Sequence, residues 1–320
     1  MRREGSPWQG LWAVTAKELA DHLSSSRMRL LEWLIVLTAA ASLYGVFQAI
    51  HRLGATDDFL FLRLFTLGQT PMPSFAALLG FLIPLVAIGL GFDAINGEYS
   101  RRTMSRLLSQ PLYRDALIMG KFLAGLGTMA ISLVVLWLLL IGAGVLGLGV
   151  APNAQELMRL SVFLVLALAY SGIWLAVAIL CSILFRSAAT SALACLGLWL
   201  FLILLWPMLA PALAQIIAPP DPLASLFGQP TLETLRWEQA LSRLSPAQLF
   251  NEGVLVLLNP ETRSLGPVFV TQLEGALVGA PLPLGTSLSI IWPQAVGLLA
   301  GMILLFTVGY VAFQRQEVRA

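Results

Sequence analysis

The chain is long, apolar and weakly charged. It has 320 residues, of which 58% are hydrophobic and 11% charged, with a formal net charge of +2 and a mean hydropathy of +0.83. Soluble proteins average about 25% charged residues, so this composition excludes an ordinary soluble domain and predicts an integral membrane protein. A nearly neutral chain without a basic aromatic array is not expected to bind nucleic acid.

Reactive and metal-ligating residues are scarce in this sequence. Cys181 and Cys195 both lie in apolar runs, and the histidines are His22 and His51. These residues predict small buried thiols rather than a disulfide or a metal site. Gly120-Lys121 has neither the earlier glycine nor the following Ser or Thr of a nucleotide-binding phosphate loop, and no Gly-x-Ser-x-Gly motif occurs. We therefore predict no catalytic, cofactor-binding or metal site, and no enzymatic activity.

The first predicted element is an amphipathic helix over 8–25. Its apolar residues, Trp12 and Leu19 among them, recur at intervals of three, four or seven, with Lys17 and Glu18 between them. Such a helix is expected to lie in the plane of the lipid headgroups, with its tryptophans at interfacial depth.

Long apolar segments follow, each able to cross a bilayer. About 17 to 25 apolar residues span the hydrocarbon as a helix, because the backbone there must satisfy its own hydrogen bonds. Pro84 removes one such bond from the second segment, and a neighbouring helix is expected to satisfy the carbonyl that it frees. The six predicted transmembrane helices are 30–50, 74–93, 116–148, 157–184, 187–214 and 289–312.

A charged segment, residues 93–121, separates the second span from the third. Its cations outnumber its anions, and Pro111 interrupts it. The side that holds this segment and both termini has 13 basic residues, against three on the other side once the long segment 208–288 is discounted. Because basic loops stay in the cytoplasm, both termini are predicted to be cytoplasmic.

The segment 208–288 is predicted to be extracytoplasmic and partly helical. Residues 231–244 have an apolar face, and Ser-Pro-Ala-Gln at 245–248 is typical of a capping box with proline at the first helical position. A second short helix is therefore expected over 249–258. We expect both helices to rest on the outer membrane surface, because FNEGVLVLLNP is too apolar to remain in water.

The charged segment resembles the cytoplasmic segment of type-2 ABC exporter permeases. In that family a glutamate is followed by Gly-Thr, a Leu-Leu-Ser/Ala-x-Pro block, an arginine and a Gly-Lys that leads into the third span. This chain has Glu98, Arg102-Thr103, Leu-Leu-Ser-Gln-Pro at 107–111, Arg114 and Gly120-Lys121. The segments AKELADHLSSSR, SPAQLFNE and FQRQEVRA make it similar to the subfamily of the nitrous oxide reductase maturation permease.

The resemblance implies a single transmembrane permease domain, 1–320, of an ATP-driven exporter in a bacterial inner or plasma membrane. Two copies would form the translocation path as a homodimer, and two separate ATPase subunits would bind ATP and Mg, with no cofactor in this chain. The segment 93–113 would contain the coupling helix that docks on the ATPase, and 8–25 would be the connecting helix. The one departure from the pattern is Arg102, which replaces the family glycine and puts the backbone of this turn in question.

The resemblance also assigns residues to these elements. The implied ATPase-docking residues are Glu98, Arg101, Arg102, Thr103, Met104, Arg106, Leu107, Leu108 and Pro111. Arg114 and Lys121 would lie at the cytoplasmic start of the third span, and Trp12, Lys17, Glu18 and Leu19 on the connecting helix.

Two other interpretations fit the same sequence. The arginines of segment 93–121 would also obey the positive-inside rule and bind anionic headgroups, at about 1 kcal/mol each. The whole chain would alternatively be a non-transporting membrane scaffold or receptor, whose helices at 231–258 bind an extracytoplasmic protein. An ATPase that co-purifies with the chain in equal numbers would favour transport.

Overall fold

The computed structural model describes residues 10–53, 59–68, 73–103, 113–149, 151–219, 231–262 and 281–316. Every regular element in these ranges is a helix, which confirms the all-α prediction. In chain order the helices are α1 (Leu11–Ser24), α2 (Ser26–Leu53), α3 (Leu60–Thr66), α4 (Phe75–Gly91), α5 (Asn96–Ser100), α6 (Arg114–Leu148), α7 (Ala154–Leu184), α8 (Ala188–Leu200), α9 (Trp206–Ile217), α10 (Leu232–Ser242), α11 (Pro246–Leu258) and α12 (Leu284–Arg315), with a π-helical turn at Phe201–Leu205 between α8 and α9.

Within the described ranges, six helical segments have the length and hydropathy of membrane spans, as the sequence predicted. They are α2, the segment Phe75–Ser100 that contains α4 and α5, α6, α7, the continuous helix α8–α9 and α12. The central span is α7, which packs against α4, α6, α8, α11 and α12 and buries Tyr170 and Trp174 almost completely. Contacts with α7 therefore position five other helices.

A side chain of α7 replaces the backbone hydrogen bond that Pro84 removes from α4. Pro84 lies inside α4 and has no amide hydrogen to donate to the carbonyl of Gly80, four residues earlier. The Tyr170 hydroxyl donates to that carbonyl oxygen at 3.1 Å, which confirms the prediction that a neighbouring helix would satisfy it. Phe250 of α11 stacks on the Tyr170 ring, with centroids 4.6 Å apart and an interplanar angle of 11°.

Helix α11 is more deeply buried than the surface position expected from the sequence. Phe250, Val256 and Leu257 have no exposed surface, and α11 packs against α7 and α12. A Cβ atom at Gly253 would lie only 2.5 Å from Leu166 Cδ2 of α7, so glycine is needed for this close approach. Placing so apolar a helix between spans removes more of its surface from water than laying it on the membrane would.

The start of α11 also differs from the expectation. Ser245 is the N-cap and Pro246 is the first helical residue, as predicted, but the Ser245 side chain makes no cap hydrogen bond. Its hydroxyl lies 3.4 Å from the Leu202 carbonyl oxygen, to which it donates, and Gln248 donates to Glu252 instead of reaching back. The predicted helix boundary is therefore correct, and the predicted capping box is not formed.

The capping box occurs at the first turn of α7 instead. The Glu156 amide donates to Asn153 Oδ1 at 2.7 Å, and the Asn153 amide donates to Glu156 Oε2 at 2.9 Å. The second Glu156 oxygen accepts from the Phe61 amide at 2.8 Å, at the start of α3. A carboxylate is favourable there because helix N-termini carry positive partial charge. The sequence analysis did not predict α3, and this contact fixes it against α7.

One turn later in α7, Arg159 contacts the C-terminal end of a neighbouring helix. Its guanidinium is fully buried and donates to the Leu257 carbonyl at 3.0 Å, near the end of α11, and to Ser287 Oγ of α12 at 3.1 Å. It also donates to the Leu282 carbonyl, just before α12 begins. Cations favour helix C-termini, so the first turn of α7 stabilises one helix start and one helix end.

Replacing Tyr170 by Phe should leave the Gly80 carbonyl unpaired and cost about 1 kcal/mol, while the ring stack on Phe250 remains. The measurement is the free energy of unfolding in mixed detergent micelles.

The matched control is the same change in a Pro84→Ala background, where the alanine introduced supplies the missing amide. The Tyr170→Phe cost should then fall, and equal costs in both backgrounds would contradict this explanation of the break.

Candidate functional site

Several chain segments meet at one end of the bundle, here called the basic face: α1, α5 with residues 101–103, the start of α6, the α7–α8 turn and the end of α12. Arg114 donates to the Gln316 carbonyl at 3.2 Å, which joins the start of α6 to the end of α12. Asn96 donates to the Phe185 carbonyl at 3.2 Å, which joins α5 to the end of α7. This is the end that the charge count predicts to be cytoplasmic.

A buried lysine lies at the centre of the basic face. The Lys121 side chain is 4% exposed, and its Nζ lies 3.0 Å from Glu18 Oε1 and 3.3 Å from Glu98 Oε1. Glu18 belongs to α1, Glu98 to α5 and Lys121 to α6. The structure thus brings together residues that the sequence assigned separately to the connecting helix, the coupling segment and the start of the third span.

The energetic weight of this cluster comes from burial. A buried ammonium group is costly unless it is paired, and removing its partner leaves an uncompensated charge at a cost of about 3 to 5 kcal/mol. Lys17 also forms ion pairs, with Glu18 at 3.1 Å and Asp21 at 3.0 Å, but its side chain is 58% exposed to solvent. Exposed ion pairs contribute little. Unlike the pairs of Lys17, which lie within α1, the pairs of Lys121 are buried and join α1 and α5 to α6.

The protonation of α1 follows from its surroundings. Burial lowers the pKa of His22, although the carboxylate of Glu18 opposes the shift. Burial also acts to lower the pKa of Lys17, but hydrogen bonds to Asp21 and Glu18 outweigh it, so that pKa lies above its ordinary value. Near neutral pH, α1 thus presents a charged Lys17 and a neutral His22.

Glycine at position 120 allows α1 to lie directly on α6. A Cβ atom there would lie 2.8 Å from Val14 Cγ1, and both Val14 and Leu11 are buried in this contact. Trp12 faces away from the bundle and is 71% exposed. Leu19 lies against Gly127, whose added Cβ would be 3.6 Å from Leu19 Cδ1. The close approach brings Glu18 within reach of Lys121.

The end of α5 is a Schellman motif with arginine at the position usually taken by glycine. The Thr103 amide donates to the Glu98 carbonyl at 3.0 Å, and the Arg102 amide donates to the Tyr99 carbonyl at 3.1 Å, which is the hydrogen-bond pattern of that motif. Arg102 has φ +55°, the only positive φ at a non-glycine position among the described residues. The Thr103 hydroxyl also donates to the Glu98 carboxylate.

Comparisons with known proteins identify the family of this chain. The profile of the family described as ABC-2 family transporter protein matches residues 12–318. The chain belongs to this family. It is 28% identical over 322 residues to the Pseudomonas aeruginosa protein named probable ABC transporter permease protein NosY, covering 96% of this chain and 99% of that protein. A Stutzerimonas stutzeri protein of the same name is 29% identical over 213 residues, covering 63% of this chain and 70% of that protein.

Family membership confirms the recognition of an ABC permease made from the sequence. This ABC-2 permease is an integral membrane protein and the transmembrane component of an ABC transporter, not its catalytic ATPase. The family implies an ABC ATPase partner. The Schellman turn also gives a physical reason for the Gly-Thr pattern quoted above. Glycine would suit the left-handed position held here by Arg102, and the threonine hydroxyl orients Glu98 toward Lys121.

The remaining predicted site residues of the permease fall into two groups. Met104, Arg106, Leu107, Leu108 and Pro111 lie outside the described residues. The side chains of Arg101 and Arg102 are exposed, beside Tyr99 at the end of α5. Tyr99 also lines a cavity of about 660 Å³ on the basic face, together with Asn96, Ser182, Arg186 and Gln316.

Sequence reasoning missed the contacts made by the end of α12. The Tyr310 hydroxyl donates to Asp115 Oδ1 at 2.9 Å, and Gln314 donates to the same oxygen. Gln316 donates to the Ile183 carbonyl at 2.6 Å. The sequence shows these polar side chains in and just after an apolar span, but it does not show their partners, which lie far away along the chain. Arg27 and Asp93, 3.1 Å apart, form a similar link between α2 and the residues after α4.

Replacing Arg102 by glycine should stabilise the permease by about 1 kcal/mol, because glycine adopts the left-handed conformation without the Cβ clash. Reversible unfolding in mixed micelles measures the change.

Arg102→Ala is the matched control, since it removes the same charge and keeps the Cβ atom. The turn explanation is wrong if the alanine variant gains as much stability as the glycine variant.

Lys121→Met should lower the free energy of unfolding by about 3 kcal/mol, because Glu18 and Glu98 would face each other without a cation. The matched control is Lys17→Met, an identical change at an exposed lysine beside the same glutamate.

Neutralising both glutamates together with Lys121→Met should recover part of the loss. A Lys121 variant no less stable than the Lys17 variant would show that the buried pairs do not hold this face together.

Proposed function

We propose that this permease is the transmembrane subunit of an ATP-driven exporter and that its basic face docks a separate ATPase subunit. The observation that carries this proposal is Lys121, whose buried contacts with Glu18 and Glu98 join the connecting helix and the coupling segment to the third span. In the proposed complex, ATP and Mg are bound by the partner. The basic face lies in the cytoplasm with both termini, in a bacterial inner or plasma membrane.

The chemistry of α5 and its following turn suits a docking surface. Arg101 and Arg102 are exposed, and the Schellman turn fixes the backbone that carries them. Rigid presentation reduces the entropy that is lost on binding, and guanidinium groups form geometrically specific contacts with carboxylates. The same turn is tied to Lys121 through Glu98, so displacement of the docked segment would also move α1 and α6.

The path itself would form between two copies of this permease, with an ATPase subunit below each. Large apolar side chains remain exposed along α2 and along α8–α9, among them Leu37 (62%), Leu193 (70%) and Met208 (73%). These surfaces face lipid or a second copy of the chain. We propose a homodimer, because a second copy of the chain would cover these exposed apolar faces, whereas the central span α7 is already packed on several sides by its own bundle.

Reversing charge with Arg101→Glu and Arg106→Glu should detach the ATPase or abolish its permease-dependent activity, because both cations lie in the proposed docking segment. The measurement is the stimulated ATPase rate of the complex purified from native membranes, together with the ratio of the two chains.

Arg236→Glu is the matched control, since it reverses an exposed arginine on α10. Full stimulated activity in the double variant would refute the docking proposal. Failure of any ATPase to co-purify with the unsubstituted permease would favour the scaffold or receptor interpretation.

A further inference from the structure

A cavity of about 510 Å³ lies between α1, α6 and α12 at the basic-face end of the bundle. Its apolar lining comes from all three helices: Leu11 of α1, Ala116 and Met119 of α6, and Phe306 of α12. Phe306 also packs on Phe122 of α6, with ring centroids 4.5 Å apart, so α6 and α12 are in contact beside the cavity. The volume is within the range of small-molecule sites, about 300 to 1,000 Å³.

One carboxylate, that of Asp115, lines this otherwise mostly apolar cavity. The Tyr310 hydroxyl donates to Asp115 Oδ1 at 2.9 Å, and the Gln314 amide donates to the same oxygen. Both donors are neutral, so the carboxylate keeps its negative charge. In the described part of the chain, no lysine or arginine forms an ion pair with Asp115.

Asp115 differs in this respect from its neighbours at the basic face. Four carboxylates of that face each pair with a lysine or an arginine: Glu18, Asp21, Asp93 and Glu98. Asp115 lies in the first turn of α6, where the helix end supplies only about half a positive charge. Its second oxygen, Oδ2, accepts no hydrogen bond from the described residues. A cation could therefore bind there without displacing a protein contact.

The cavity lies at the depth of the lipid headgroups. Helix α6 has 35 residues and is roughly 52 Å long at 1.5 Å per residue, whereas the hydrocarbon core is about 30 Å thick. We therefore place its first turn, with Asp115, outside the hydrocarbon. Trp12, next to Leu11, is exposed, and tryptophan is enriched at this depth.

The cavity continues into a surface that faces lipid. Thr307 lines the cavity and is exposed, and Ile303, one turn earlier on the same side of α12, is 60% exposed. A ligand bound at Asp115 could thus extend an apolar chain along α12 toward the centre of the membrane.

We propose that this cavity binds a phospholipid whose headgroup carries a primary ammonium group, as in phosphatidylethanolamine. The ammonium donates to Asp115 Oδ2, and the upper parts of the acyl chains contact Met119 and Phe306. The lipid would contact α1, α6 and α12 together. This site does not depend on ATP-driven transport.

The chemistry of the cavity disfavours other headgroups. A phosphatidylglycerol headgroup is anionic and would be repelled by Asp115. A choline headgroup is cationic but has no N–H to donate, so it would lose the charge-assisted hydrogen bond. A soluble amine would leave the apolar lining of the cavity unfilled.

The test is native mass spectrometry of the delipidated permease. The permease is mixed with equal amounts of phosphatidylethanolamine, phosphatidylcholine and phosphatidylglycerol that carry different isotope labels and the same acyl chains. The ethanolamine lipid should bind about tenfold more than either of the others, the effect expected of one charge-assisted hydrogen bond.

Asp115→Asn should abolish this preference, because it removes the charge and keeps an oxygen that accepts from Tyr310 and Gln314. The matched control is Asp21→Asn, the same change at an exposed carboxylate of α1, which should keep the preference.

Thr307→Trp tests the cavity with Asp115 intact. Thr307 donates only to the Ile303 carbonyl of its own helix, and the larger side chain should obstruct the cavity and lower ethanolamine-lipid binding about tenfold. Val308→Trp is the control, since Val308 is exposed on the same turn and does not line the cavity.

Equal binding of the three lipids to the unsubstituted permease would overturn the proposal, and so would an Asp115→Asn variant that keeps the preference. Undiminished binding to the Thr307→Trp variant would place the lipid elsewhere. Displacement of the lipid by glycerophosphoethanolamine at the same concentration would show that the site takes a soluble amine, and the assignment to a membrane lipid would then be wrong.

Discussion

The structure depends most on the burial of a single ammonium group, that of Lys121. A lysine removed from water is stable only beside anions, and here Glu18 and Glu98 supply them from different helices. Neighbouring features serve this geometry. Gly120 lets α1 approach α6, and Thr103 donates to the Glu98 carboxylate. The left-handed turn at Arg102 is retained even though its side chain disfavours that conformation.

The opposite end of the bundle follows the same physical rule. Apolar contacts between helices in lipid specify their relative positions weakly, because lipid tails are as apolar as leucine. Polar contacts at helix ends and breaks specify them better. Glu156 holds the start of α3, Arg159 holds the end of α11, and Tyr170 satisfies the carbonyl freed by Pro84. Few polar side chains thus fix the arrangement of many apolar ones.

The sequence predicted the features that depend on composition and on segment length. It missed those that depend on which side chains contact each other in the fold. Hydropathy located six spans because hydrocarbon thickness sets their length. Charge located Glu98 and Lys121 at one end, but it did not show that Glu18 completes the cluster. The charge count treats Arg159 only as a basic residue of the extracytoplasmic side, although it is fully buried. Asn153 and Glu156 have the local spacing of a capping box and could have been predicted, whereas Ser245 and Gln248 have the same spacing but bond to Leu202 and Glu252 instead.

The basic face and helix α11 are connected by two of the spans. Helix α12 contacts Glu252 through Gln294 near one end and Asp115 through Tyr310 near the other. The second span likewise extends from its Pro84 break, beside α11, to Asp93 at the basic face, which pairs with Arg27. Both spans contain a proline, the residue at which helix kinks most commonly occur. Because packed helices shift as units, a displacement of α5 would reach α11 through the second and sixth spans, without a separate chain of side-chain contacts.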